Sequence, residues 1–201
     1  MIACTGHTAR SSDDAKSMAA ARSMGIESVV TEVTSESVAE DLALMELPFE
    51  PTLMDRSLWC LYSEVSRSAA RTGARVILLG QLADELFGGY SKYSLALKDR
   101  GEEYARSMME GDYQEYAGRG RIRDVGACER WAEPRFPYED GSILALARSI
   151  PMSFKVAPGT RKAVLRRAAV ILGVPEAVAG APKKAAQYSS GIQKLVAGSR
   201  F

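Results

Sequence analysis

Histidine is nearly absent, with His7 the one imidazole in 201 residues. That removes most histidine-based metal sites and the usual Ser–His or Cys–His nucleophile pairs. Cysteine is scarce too. Cys4, Cys60 and Cys128 are odd in number and have no C-x-x-C spacing. Neither a zinc site nor a disulfide framework is indicated, and free thiols of a reducing compartment are expected. Long apolar runs are missing. The stretch 76–80 falls far short of the roughly 20 residues that span a bilayer. The N-terminal Met-Ile-Ala-Cys-Thr shows no basic region leading into an apolar core, so it does not read as a secretory signal. Excess charge is lacking as well, because 26 Lys and Arg stand against 25 Asp and Glu. General attraction to nucleic acid or to an anionic membrane is therefore not expected. The chain reads as cytoplasmic.

What is present is an ordinary globular composition, 46% apolar and 25% charged, enough for one substantial core or one domain with a helical appendage. Residues 2–5 form a short apolar run and predict a strand. Ser11-Ser12-Asp13-Asp14 offers caps and first-turn acids for a helix carrying Ala15, Met18, Ala19 and Arg22, with Gly25 as its stop. The β-branched Ser28-Val29-Val30-Thr31-Glu32-Val33 predicts a second strand. Thr34 or Ser35 caps a helix carrying Val38, Leu42 and Met45, closed by Pro48 and Pro51. Residues 53–72 form an amphipathic helix with Leu58, Leu61, Val65 and Ala69 on one face. Val76-Ile77-Leu78-Leu79 then reads as a strand covered on both faces.

Strand, helix, strand, helix, strand is the pattern of a doubly wound parallel sheet. From about Ser91 onward the sequence predicts helices without a convincing strand. The expected fold is thus α/β: a partial doubly wound parallel sheet over residues 1–90, followed by a mainly helical region over 91–201.

The segment richest in chemistry is Gly80-Gln81-Leu82-Ala83-Asp84-Glu85-Leu86-Phe87-Gly88-Gly89-Tyr90. It leaves the carboxyl end of a predicted strand, where open parallel sheets bind their ligands. Two adjacent acids suit a hard cation, and Mg²⁺ favours carboxylates together with substrate phosphates. The glycines permit tight turns and close approach of backbone to a ligand. Spacing alone leaves a plainer role equally open, with Asp84 capping a helix and the glycines ending it.

Those residues resemble the Gly-Glu-Gly-Ser/Ala-Asp-Glu-Leu-Phe-Gly-Gly-Tyr segment of asparagine synthetases and asparagine-synthase-like proteins. Three further segments follow in the family's order. Arg135-Phe136-Pro137-Tyr138-Glu139-Asp140 is similar to Arg-Val-Pro-Phe-Leu-Asp. Lys162-Ala163-Val164-Leu165-Arg166 is similar to Lys-Tyr-x-Leu-Arg. Lys183-Lys184-Ala185-Ala186-Gln187-Tyr188-Ser189-Ser190-Gly191 is similar to Lys-x-Gln-Phe-Ser-Asp-Gly.

The resemblance implies an ATP pyrophosphatase fold, of the adenine nucleotide alpha hydrolase kind, that uses ATP and Mg²⁺ to adenylate a small carboxylate such as aspartate before ammonia attacks. It implies nucleotide binding by Gly80, Gln81 and Asp84, and metal binding by Asp84 with Glu85. It also implies that Lys184 or Lys183 stabilises negative charge on phosphate or intermediate, with Lys184 preferred. Arg135 and Asp140 read as a structural bend. Lys162, Arg166 and Arg167 read as a solvated face.

Three departures qualify the resemblance. The family's Ser-Gly-Gly-x-Asp-Ser-Ser phosphate loop, which offers backbone N–H groups and a helix N-terminus to pyrophosphate, has no match here. Residues 2–5 resemble instead the family's second strand, which contacts adenine. An upstream segment or a partner chain is expected to carry the loop, and self-association into a homo-oligomer also stays open. Gln81 stands where asparagine synthetases carry glutamate, and an amide serves neither as a carboxylate base nor as an electrostatic partner for ammonium. The glutaminase's N-terminal cysteine is absent, so ammonia would come from solution or another protein. The alternative expectation is a catalytically inactive nucleotide-binding or interaction subunit.

Overall fold

The structure is a computed structural model that describes the chain apart from Arg10, Ser12, Pro158, Lys183, Arg200 and Phe201, and the side chain of Asp13. In chain order it runs β1 (Ile2–His7), α1 (Asp13–Ser23), β2 (Glu27–Glu32), α2 (Ser35–Ala43), α3 (Leu53–Arg71), β3 (Val76–Leu78) and α4 (Ala83–Phe87). It continues with α5 (Ser91–Arg100), α6 (Glu102–Glu115), α7 (Arg121–Cys128), β4 (Glu133–Arg135), α8 (Gly141–Ser149), α9 (Met152–Lys155), α10 (Ala163–Ile171), α11 (Glu176–Ala179), α12 (Ala186–Ser189) and α13 (Ile192–Gly198).

The expected α/β class with a partial parallel sheet is what forms. β1 and β2 pair in parallel, Ile2 opposite Glu27 through His7 opposite Glu32. The connecting helix α1 packs on both strands, as a crossover between parallel neighbours must. β3 belongs to a separate two-stranded sheet with β4, where Glu133 N–H donates to Arg75 O at 2.8 Å and Leu79 N–H to Arg135 O at 2.9 Å. Two expectations need correction. The helical region contains a strand, because Glu133-Pro134-Arg135 pairs despite its proline. The apolar run 76–79 is not covered on both faces, since Val76 is 39% and Leu78 61% exposed while Ile77 alone is buried.

The chain divides into two compact units. Unit 1 comprises Met1–Ile77, Gly120–Pro134 and Pro182–Phe201; unit 2 comprises Leu78–Arg119 and Arg135–Ala181. In unit 1, α3 is the central element. Thr52 and Asp55 form a reciprocal capping box at its start, and it packs against β1, β2, α2, α7, α12 and α13. Leu58, Leu61, Val65 and Ala69 are buried as the apolar stripe requires, yet Ser57, Ser63, Glu64, Ser66 and Ser68 are buried as well. A helix surrounded on nearly every side must satisfy its polar groups internally. Arg67 does this for one group, pairing with Asp41 and Glu64 and lying 4.7 Å from the Trp131 ring. Arg123, 3.1 Å from Asp55 and 2.7 Å from Asp124, does it for another. Breaking one partner of such a buried pair costs about 3–5 kcal/mol.

Unit 2 is built around two apolar clusters. Tyr93, Ala96, Ala105, Met109, Met152 and Val156 form one; Leu82, Leu86, Phe87 and Ala147 form the other, reinforced by an edge-on Phe87–Tyr138 contact. The second cluster anchors α4, and α4 carries the acids of the candidate site.

Burial raises the Asp41 carboxyl to about 6, against the opposing pull of Ser63 and Arg67. The folded protein therefore holds a proton that the unfolded chain, titrating near pH 4, has already released. Stability contributed by this group is greatest below pH 4 and is lost as pH rises through 6, by up to about 3 kcal/mol. Urea unfolding of wild type and Asp41→Asn across pH 4 to 8 is expected to show this component of the slope in wild type and not in the variant.

Candidate functional site

In unit 2, the segment after β3 turns through Gly80 and Gln81 into α4. Leu82, at the N-terminal flank of α4, is left-handed at φ 69°, an uncommon conformation for a branched side chain. Its side chain is buried, and that burial compensates the backbone. At the other end Gly88, at φ 77°, donates its N–H to Asp84 O, and Gly89 N–H donates to the same oxygen at 2.8 Å.

Gly89 has a second duty. A Cβ placed there would lie 1.6 Å from Asp84 Oδ1 and 2.4 Å from its Cγ. The carboxylate of Asp84 occupies the space that any other residue's side chain would take. The pair of glycines thus serves two ends, one a left-handed turn and the other a seat for the acid.

Lys162 completes this arrangement. Its Nζ lies 3.3 Å from Asp84 Oδ1, and its backbone N–H reaches Gly88 O at 3.4 Å. Lys162 is itself left-handed at φ 55°. Leu82 and Lys162 are the two non-glycine residues with positive φ among those described, and both sit at this turn. Local strain of this kind clusters where function demands a fixed geometry.

The expectation that Lys162 belongs to a solvated face is therefore corrected, since its side chain is 18% exposed and faces the acid. Arg166 is likewise engaged, with hydrogen bonds to the backbone oxygens of Arg161, Ala179 and Ala181. Asp140 caps α8 through the N–H groups of Ser142 and Ile143, in keeping with a structural bend.

Glu85 points elsewhere. Its carboxylate accepts the Tyr90 hydroxyl at 2.6 Å, and burial raises its pKa, opposed by that hydrogen bond. Among the described residues no cluster of three Asp, Glu, His or Cys side chains forms a metal site. Mg²⁺ does not require one, because it is held by one or two carboxylates plus phosphate oxygens and water. Asp84 suits that role. Glu85, occupied by Tyr90, suits it less.

Unit 1 contributes a different feature. The segment before α13 returns to the carboxyl end of β1, where Thr8 donates from its backbone N–H to Ser190 O at 2.9 Å and from its hydroxyl at 3.0 Å. Ser11 donates its hydroxyl to Ser189 O at 2.7 Å. Beside this junction lies a cavity of about 900 Å³ bounded by Thr8, Glu32, Thr34, Tyr188, Ser189 and Lys194. It sits beyond the carboxyl ends of the parallel strands, where such sheets bind ligands, and its volume falls at the upper end of small-molecule sites. Residues 2–5 are not part of this wall, whereas Thr8, just after the strand, is. Nothing local in the sequence pointed to Thr8 or Lys194.

Lys184 is exposed in unit 1, just ahead of α12. Lys183, the other lysine assigned a charge-stabilising role, lies outside the described residues.

A parallel strand pair with a cavity at its carboxyl ends, together with an acid-bearing turn ended by two glycines, places the chain among α/β proteins of doubly wound type. Comparison with known proteins makes this specific. The asparagine synthase family model matches residues 2–132 and 98–198, and the chain belongs to that family. It is 35% identical over 152 residues to asparagine synthetase domain-containing protein 1 of Mus musculus, covering 68% of this chain and 22% of that protein. The human protein of the same name is 30% identical over 167 residues, covering 72% of this chain and 25% of that protein. A putative glutamine-hydrolysing asparagine synthetase of Methanocaldococcus jannaschii is 29% identical over 164 residues, covering 65% of this chain and 30% of that protein. The chain thus spans less than a third of the length of these relatives. No helix among the described residues is long and apolar enough to cross a membrane.

Gly89→Ala tests the seat directly. The added methyl must displace Asp84, and the variant is expected to lose on the order of 3 kcal/mol of stability in urea unfolding. Gly80→Ala, where a Cβ meets nothing within 4 Å, is expected to stay within about 1 kcal/mol of wild type.

Proposed function

We propose that the chain is the ligase portion of an asparagine-synthase-type enzyme, an ATP-dependent, AMP-forming domain that adenylates a small carboxylate such as aspartate and passes it to ammonia. The observation that carries this reading is the Asp84 carboxylate seated on Gly89 with Lys162 beside it. A fixed carboxylate and an ammonium at the end of a strand are the groups needed to manage a metal-bound polyphosphate.

Asp84 would hold Mg²⁺, which when bound neutralises charge on the departing pyrophosphate. Lys162 orients Asp84 and adds positive charge beside it. Gly80 and Gln81 supply backbone that a nucleotide can approach closely. Glu85, paired with Tyr90, supports the turn rather than the metal. Lys184 or Lys183 supplies a compact charge for phosphate or for the acyl-adenylate. The cavity of unit 1, with Thr8 and Lys194 on its wall, is sized for a nucleoside.

The phosphate-binding loop is assigned to an upstream segment or a partner chain. Two facts support this assignment. The sequence has no Ser-Gly-Gly-x-Asp-Ser-Ser, and β1 pairs with β2 alone among the described strands, leaving its other edge able to take a strand.

Gln81 favours a second reading. With an amide in place of the acid, the chain would bind nucleotide as a non-catalytic subunit. Pyrophosphate release by the full-length natural protein separates the two. With ATP, Mg²⁺, aspartate and ammonia, release is expected and should fall at least about 100-fold in Asp84→Asn. Equal release by the variant contradicts the assignment of Asp84. Nucleotide binding by wild type without any release establishes the subunit reading instead.

A further inference from the structure

Unit 2 holds a second cavity, of about 320 Å³, on whose wall lie Glu85, Arg106, Ser107, Glu110, Arg148 and Lys155. Most of these charges are already matched. Arg106 donates to Glu102 at 2.8 Å and to the backbone oxygens of Arg148 and Ile150 at 2.9 Å each. Arg148 pairs with Glu110 at 3.0 Å and lies 5.0 Å from the Tyr113 ring. Glu85 is held by Tyr90.

Lys155 is the exception. It is 3% exposed, and among the described residues it makes no hydrogen bond or ion pair. The charges that act on it are Arg106, which repels it, and Glu102, which attracts it but already accepts from Arg106 and from Met152 N–H. Lysines normally carry their ammonium out to water, and a buried cation without a counter-charge is costly. Burial lowers the Lys155 amine to about 8, leaving it mostly charged at neutral pH. Arg106 and Arg148 each have a carboxylate partner, Glu102 and Glu110, and Glu85 is held by Tyr90. Lys155 is therefore the cation of this wall, among the described residues, that has no direct counter-charge.

We propose that this cavity binds a small oxyanion, a carboxylate or phosphate of few atoms, with Lys155 as its charge partner. The site is distinct from the Asp84–Lys162 pair but sits against the same turn. A Cβ on Gly88 would lie 3.4 Å from Lys155 Cβ and 3.3 Å from Val156 Cγ2, and Glu85 and Leu86 of α4 line the cavity. An anion there bridges α9 and α6 to α4 and braces the helix that carries Asp84. None of this depends on the proposed ligase activity.

The test uses inorganic phosphate and malonate as separate probes, at constant ionic strength, on the full chain. Acetylation of Lys155 by acetic anhydride is followed by peptide mass spectrometry, with exposed Lys98 as internal control. One anion is expected to protect Lys155 saturably, about tenfold at about ten times its Kd, while Lys98 reacts unchanged. The same anion is expected to raise Tm in wild type and not in Lys155→Met. Protection by phosphate or by malonate identifies which oxyanion fits. If neither slows Lys155 acetylation relative to Lys98, the proposal is overturned, whether or not Lys155→Met folds.

Discussion

The site depends on one missing methyl group. Because Gly89 has no Cβ, the Asp84 carboxylate lies against the backbone and is held where Lys162 can reach it. Two left-handed non-glycine residues, Leu82 and Lys162, are tolerated around this contact, at a cost of roughly 1–3 kcal/mol each. The buried cluster of Leu82, Leu86, Phe87 and Ala147 compensates the first, and the contact with Asp84 holds the second. An acid preorganised in this way does not have to be ordered when a metal or a phosphate arrives.

Unit 1 reaches rigidity by a different route. Its central helix α3 is enclosed by other elements, and ion networks at Arg67 and Arg123 pair the buried carboxylates of Asp41, Glu64, Asp55 and Asp124 in and around it. Around that frame, the segment before α13 returns across 182 positions of sequence to Thr8. Gly191 permits the return, because a Cβ there would come within 2.3 Å of Thr8 Oγ1. The cavity at the carboxyl ends of β1 and β2 is a consequence of this closure.

The sequence singled out residues 80–90 because residue types in a fixed order draw attention: acids after a strand, then two glycines. It revealed that Gly88 could turn the chain but not that Gly89 seats a carboxylate, which only the three-dimensional approach shows. Lys162 read as a solvated residue because helical periodicity places a side chain on a face of α10. Periodicity does not reveal that the residue ahead of that helix is left-handed and turned toward Asp84. β4 escaped notice since three residues centred on a proline carry no alternation. Lys155, in Ser153-Phe154-Lys155, carries no local signal of burial; its burial follows from how α9 packs. The parallel pair β1–β2 and the stripe of α3 were legible because both rest on local pattern.

If the glycine-seated acid is the metal end of an ATP site, its removal must weaken metal–nucleotide binding before any chemistry occurs. Electron paramagnetic titration of Mn²⁺ in the presence of ATP, on the full-length natural protein, measures this directly. Asp84→Asn is expected to raise the Kd of the Mn²⁺–ATP complex at least about tenfold, a loss of about 1.4 kcal/mol or more. An unchanged Kd in a variant that keeps its wild-type melting behaviour would contradict it.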